Sequence, residues 1–242
     1  MNHQLDTHVK AYERQSIYDF DNLLQLKWYP KRIIERTSGA NSLLELGLGH
    51  GVTTEIFNHH FKRHVVIDAS PAVIANFHQL YPACRPEIVQ TYFENFASAE
   101  QFEVMVFGYI LEHVENPVQI MALFKPFLAP GGRVFVTVPN AAVLNRRLGH
   151  LAGMLSDMTE LSEHDLLLGH RRYYTVDTLE TDIEAAGYKL VSMEGIYLKP
   201  LTTAQILSLN LDERILDALC QVGVDYPELS CGLLAEISPN AS

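Results

Sequence analysis

Cysteine is scarce in this chain of 242 residues: there are three, Cys84, Cys220 and Cys231, and no two form a C-x-x-C pair. So few and so scattered, they cannot frame a disulfide-stapled fold or a four-thiolate zinc site. They read as buried or incidental thiols of a reducing compartment, and a cytoplasmic location is expected. No apolar stretch approaches the length of a membrane span, and the opening MNHQLDTHVK lacks the apolar core of a secretory signal, so no membrane association is expected. Runs of basic residues are missing too. With Lys+Arg 18 against Asp+Glu 29 the formal net charge is -11, a field that repels nucleic acid and disfavours it as a partner. Internal repeats and low-complexity tracts are absent. What remains is a 48% hydrophobic composition, enough for one well-cored domain with an embellishment.

The informative stretch is 43–68, LLELGLGHGVTTEIFNHHFKRHVVID. The apolar run 42–46 reads as a buried strand. Gly47, Gly49 and Gly51 then let the backbone turn and approach a ligand where a Cβ would obstruct it. Thr53 and Thr54 open a helix, and a second apolar run, 65–67, ends in Asp68. That carboxylate falls 21 positions after Gly47, the spacing that sets an acid beside a ribose in a doubly wound sheet. A dinucleotide fingerprint requires glycine at position 52, where Val52 stands, so a pyrophosphate reader is disfavoured.

The rest of the chain follows an α/β rhythm. Residues 1–36, with Tyr12, Tyr18, Trp28 and Tyr29 at loosely helical spacing before Pro30, predict two short leader helices. Ser70 and Pro71 cap a crossover helix carrying Val73, Ile74 and Phe77. Strands are expected at 87–92, 102–110 and 133–138, with a helix at 117–128 closing before an Ala-Pro-Gly-Gly turn. The run at 102–110 is nearly all apolar, as in a central parallel strand buried on both faces. Segment 141–172, glycine-rich and dotted with charge, reads as an inserted helical lid. A capped helix at 175–186, a strand from 188 to about 193 with an extension to 198 left open, a helix at 203–220 and a strand at 229–237 finish the chain. A seven-stranded, mostly parallel sheet with an antiparallel last strand results. The parts are a leader (1–36), a core (40–140), the lid, and a final portion (173–242).

Glu45, Gly47, Gly49 and Gly51 with Asp68 resemble motif I of the class I S-adenosylmethionine-dependent methyltransferases, E-x-G-x-G-x-G, and 102–140 resembles the second half of that Rossmann-like fold. The resemblance covers about 40–140. It implies S-adenosylmethionine as cofactor, held by Glu45, Gly47, Leu48, Gly49 and Gly51, by Asp68 and Ala69 at the ribose, and by Tyr92, Phe93, Gly108 and Tyr109 along the next strand ends. Tyr92 stands near where family members often place an acid for the adenine. It also implies a leader folding over the ligands, so Tyr18 and Trp28 are candidate substrate contacts; the alternative is that these aromatics pack the leader onto the domain.

Glu112 and His113 follow strand four, beside the expected methyl donor. His113 is the first candidate for a general base, since a neutral imidazole accepts a hydroxyl proton near neutral pH; a capping or buried histidine is the alternative. LEH followed by His170 resembles the metal-dependent 2'-O-methyltransferases of small RNAs, in which two glutamates and two histidines bind magnesium. Tyr109 replaces the first glutamate here, so a divalent metal stays open but is not favoured. Arg146, Arg171, Arg172 and Tyr173 are candidate acceptor contacts, the arginines as a clamp for a carboxylate or phosphate. A D/N-P-P-Y sequence after strand four is absent, which points away from amide and ring nitrogens. The expected activity is methyl transfer to a small molecule, at a hydroxyl oxygen, as in bacterial small-molecule O-methyltransferases. An amine acceptor, or a non-catalytic nucleoside-binding protein with a partner-recognising lid, are the alternatives.

Overall fold

Alternation of apolar runs with helix-period segments builds one mixed sheet. In the computed structural model, which describes residues 17–240, the strands are β1 (Ser42–Leu46), β2 (Arg63–Asp68), β3 (Glu87–Gln90), β4 (Phe102–Gly108), β5 (Leu128–Pro139), β6 (Tyr188–Leu198) and β7 (Ser230–Pro239). They lie in the order β3-β2-β1-β4-β5-β7-β6. β7 runs antiparallel to β5 and β6, and the other pairings are parallel. The expected seven-stranded, doubly wound, Rossmann-like sheet with an antiparallel last strand is present. Chain order reverses between β1 and β4, where Leu46 sits opposite Phe107, so a crevice opens beyond their carboxyl ends.

Helices α1 (Asp19–Arg36), α2 (Val52–His60), α3 (Pro71–Leu80), α4 (Pro117–Leu123), α5 (Leu144–Leu151), α6 (Glu163–Leu168), α7 (Val176–Ala185), α8 (Thr203–Ser208) and α9 (Glu213–Gly223) accompany the sheet. Its strands are apolar on both faces because both are covered. Leu44, Leu46, Met105 and Phe107 pack with Met121 of α4 and Ile183 of α7, while Leu43, Val104 and Val106 pack with Tyr29 and Ile33 of α1 and Phe57 of α2. Each such side chain stabilises the fold by about 1.5–3 kcal/mol on burial.

Several boundaries differ from expectation, each for a local reason. Pro30 does not end the leader: α1 runs through it to Arg36. A mid-helix proline costs about 3 kcal/mol, offset here by the burial of Tyr29 and Ile33 and by Arg32 and Arg36, which ion-pair with Glu194 of β6. What precedes α1, including Tyr12 and any first leader helix, lies outside the described residues. α4 stops at Leu123 rather than 128, because Pro126 has no N–H to give the Ala122 carbonyl, and a short 3-10 turn follows. The Ala-Pro-Gly-Gly turn is absorbed into β5 as a shift of register between Phe102 and Val104 of β4. The expected helix 203–220 is two helices, broken by Asn210 at φ 45 and restarted by Asp212, whose side chain accepts from Arg214 N. β6 takes the longer extent, to Leu198.

Candidate active site

The glycine loop leaves β1 at the switch point. Gly49 has φ +48, and a Cβ built there would meet nothing within 4 Å, so the loop presents bare backbone to open space. Gly51 differs: at φ +75, its added Cβ would fall 2.6 Å from Tyr81 and 2.7 Å from Phe77. It serves as the left-handed cap of α2 and lets α3 pack closely, so it does not line the cavity. Asp68 at the end of β2 ties the loop down, Oδ2 accepting from Leu48 N at 3.0 Å and Oδ1 from Ser70 N at 2.8 Å. Burial raises the Asp68 pKa against the pull of those two donors.

A cavity of about 360 Å³ opens over this crevice. Its wall includes Gly47, Leu48 and Gly49 from the loop, Gly108, Tyr109, Glu112 and His113 from the end of β4, and Arg146, His170 and Tyr173 from the lid and its return. Tyr18 and Tyr29 close it from the leader side, and the Tyr18 ring lies 4.8 Å from that of His164 on α6, joining leader to lid.

The turn after β4 is set by Tyr109, a non-glycine residue at φ +54, whose N–H donates to the carbonyl and hydroxyl oxygens of Thr137. Its hydroxyl donates to Gln25 Oε1 at 2.9 Å. Glu112 is 1% exposed and its Oε2 has no hydrogen-bond partner, and burial pushes its pKa up to about 7. The His113 and His170 rings meet edge to face at 4.8 Å. Glu112, His113 and His170 each bring one ligand atom within 4.8 Å of the others. Three such donors fit a divalent ion, while Tyr109, turned to Gln25, adds no carboxylate to them.

The lid holds this group from behind. Asp165 sits 3.2 Å from His170 Nδ1, too misaligned for a hydrogen bond but close enough to attract, and accepts from the Tyr173 hydroxyl at 2.6 Å and Ser162 N at 2.8 Å. Burial opposes ionisation of Asp165, yet the facing His170 and the Ser162 and Tyr173 groups outweigh it and hold the acid well below the usual carboxylate range.

The arginines are placed otherwise than expected. Arg171 donates to the His113 carbonyl, and Arg172 to those of Leu111, Val114 and Glu115; neither lines the cavity. They lash the lid's return to the turn after β4. Arg146 lines the cavity but spends its guanidinium on the carbonyls of Met158 and Glu160, over the Tyr173 ring. The anion clamp is thus replaced by backbone bracing.

Glu45 is likewise displaced from its expected place beside the ligand. It is 1% exposed, accepting from Thr53 Oγ1 at 2.8 Å and sitting 2.9 Å from His64 Nε2, because alternate residues of β1 face α2. Trp28 packs on the apolar cluster around Tyr29 and Ile33 and does not face the cavity, so the packing alternative holds for it. Asp68, Ala69, Tyr92 and Phe93 sit at the ends of β2 and β3, outside the cavity wall, with Tyr92 exposed. Asp21, Gln25, Asn140, Asp165 and Lys199 line the cavity without having been singled out from sequence. Gln25, between Leu24 and Leu26, is the one of them with apolar neighbours on both sides in the sequence, and nothing local marks the others.

Among known proteins, the family model described as a methyltransferase domain matches residues 21–193. A ubiquinone biosynthesis O-methyltransferase of Aeromonas salmonicida is 28% identical over 200 residues, covering 79% of this chain and 80% of that protein. One from Pseudomonas putida is 26% identical over 198 residues, covering 79% and 82%. In fold, the chain is similar to the N-methyltransferase NodS of Bradyrhizobium japonicum in complex with S-adenosyl-L-homocysteine, with TM-score 0.56, 17% identity and coverage of 88% and 85%. It is also similar to the plantazolicin methyltransferase BpumL in complex with the same ligand, with TM-score 0.61, 15% identity and coverage of 98% and 90%. No helix of the described residues is long and apolar enough to cross a membrane.

Proposed function

The chain belongs to the class I S-adenosylmethionine-dependent methyltransferases, and from that membership we propose that it methylates a hydroxyl oxygen of a small-molecule acceptor, with His113 as proton acceptor. The observation that carries this is that the glycine loop and the Glu112, His113 and His170 side chains line one cavity. The O-methyltransferases among its relatives support oxygen as the methyl acceptor.

S-adenosylmethionine, when bound, supplies an electrophilic methyl carbon on a sulfonium. Residues 47–49 give the cofactor bare backbone, and Asp68, outside the cavity wall at the end of the next strand, would accept from a ribose hydroxyl pair with the lone pairs that its two backbone bonds leave. The lid return, braced by Arg171 and Arg172, keeps His113 and His170 over the acceptor side and excludes water. His113 then takes the acceptor's hydroxyl proton as the oxygen attacks, while positioning contributes the larger part of the rate. A divalent ion held by Glu112, His113 and His170 would polarise the same oxygen.

Turnover measured with methyl-labelled S-adenosylmethionine and a phenolic acceptor separates these roles. His113→Ala is expected to slow turnover roughly a hundredfold with little change in cofactor affinity, and the deficit is expected to shrink at high pH, where the phenol ionises unaided. Chelator is expected to leave the wild-type rate unchanged. Abolition by chelator with restoration by magnesium would assign the activation to a metal, and a normal rate for His113→Ala without chelator sensitivity would leave proximity alone.

A further inference from the structure

Beyond the reacting group, the cavity wall contains a second polar cluster that methyl transfer itself does not use. Asp21 in the first turn of α1, Lys199 just after β6 and Thr203 at the start of α8 converge there. Lys199 Nζ donates to Asp21 Oδ2 at 2.6 Å and to Thr203 Oγ1 at 2.9 Å, and the Thr203 hydroxyl also donates to Asp21 Oδ2. The three residues are 4%, 8% and 2% exposed.

Two features mark this cluster as a ligand site rather than a structural tie. Asp21 Oδ1 is buried without a hydrogen-bond partner, a loss that a folded core ordinarily avoids. A buried ion pair is also a poor source of stability, since apolar side chains of similar volume usually serve as well or better. The backbone agrees: the chain reaches Lys199 through Tyr197 at φ +60, a strained conformation of the kind that persists at ligand clamps.

Position and charge say which ligand group it would take. From β1 to β6 are four strand spacings, about 19 Å at roughly 4.8 Å each, so Lys199 lies far across the sheet from the glycine loop. It belongs to the acceptor's end. Asp21 Oδ1 needs a donor, while the Lys199 ammonium has a third N–H beyond its two bonds and needs an acceptor. A carboxylate would satisfy Lys199 and be repelled by Asp21, and an ammonium would do the reverse. A hydroxyl supplies both donor and acceptor without net charge.

We propose that Asp21, Lys199 and Thr203 form a docking subsite for a neutral hydroxyl group of the acceptor, remote from the hydroxyl that is methylated. The acceptor is then a molecule that carries a hydroxyl at each of two ends, one methylated and one docked. This rests on the methyl-transfer reading above.

The test is calorimetric titration of the protein saturated with S-adenosylhomocysteine, at a mildly acidic pH that keeps the phenols protonated, using two rigid probes: luteolin, with a catechol at one end and two hydroxyls at the other, and its analogue without that second pair. Wild type is expected to prefer luteolin roughly tenfold, the effect of one hydrogen bond to a charged group. Asp21→Asn, and the double variant Asp21→Leu with Lys199→Leu, which exchanges the ion pair for apolar contacts, are both expected to erase the preference while still binding S-adenosylhomocysteine. Equal affinity of the wild type for the two probes, failure to bind either, or a preference retained by the double variant would overturn the subsite. Failure of the wild type to bind S-adenosylhomocysteine would instead overturn the methyl-transfer reading.

Discussion

Single side chains here are set against their own preferences. Glu112 is the clearest case, an acid kept from ionising by burial until about pH 7. Its folded pKa lies above the unfolded value, so the folded state holds the extra proton, and stability is fully present below pH 4.5 and lost as pH rises toward 7. Glu112→Gln removes that dependence. In chelator, the variant is expected to match wild type near pH 4 and to exceed it by up to about 3 kcal/mol near pH 8, read from urea midpoints across pH; equal midpoints at both ends would refute the buried-acid assignment. The glycines divide in a similar way. Gly51→Ala meets both a left-handed φ and the rings of Tyr81 and Phe77, so a loss of about 1–3 kcal/mol is expected with cofactor affinity largely kept in the molecules that fold. Gly49→Val meets open space and carries only the backbone strain, so its loss is expected in affinity.

Among the elements, the lid is where order and function meet. Asp165 closes the capping box of α6, accepts from Tyr173 and attracts His170. Asp165→Ala is expected to cost about 1–3 kcal/mol locally. Amide exchange over 162–173 should accelerate and the acceptor KM rise, while S-adenosylhomocysteine affinity changes little; unchanged exchange there would show that Asp165 does not hold the lid. That 141–172 is a helical insertion was read from its composition, and α5 and α6 lie there with Arg146, Asp165 and His170 on the cavity wall. What its arginines do was not. A basic residue near a cavity reads as an anion clamp, yet Arg171 and Arg172 found unpaired carbonyls in the turn after β4, which only the folded chain brings near. The same holds for the leader: Pro30 is a stop signal in sequence, overridden by packing and ion pairs from β6 and β7, far away along the chain.

For the whole molecule, the sheet was readable because its strands are short apolar runs punctuated by glycine, proline and capping residues. Ser70 with Pro71 and the capped Thr175 mark helix starts that the structure reproduces. The turn at 47–51 and the strand end at Asp68 were legible for the same reason, since both are local, but that Gly51 packs on α3 and Asp68 ties down the loop was not. Asp21, Lys199 and Thr203 were not, because they meet across 178 and 182 positions of chain and nothing local marks them. A protein built around one nucleoside site should gain stability by mass action from its ligand. At a hundredfold excess over Kd, S-adenosylhomocysteine is expected to stabilise by about 2.7 kcal/mol and to raise Tm by several degrees, with NAD giving no shift.

The most direct measurement is calorimetric titration of S-adenosylhomocysteine into the wild type and into Gly49→Val. The wild type is expected to bind one equivalent, and the folded variant to show no measurable heat, because the added side chain fills the space over the loop. A wild type that does not bind, or a Gly49→Val protein that binds as tightly, would contradict the assignment of this cavity as the methyl-donor site.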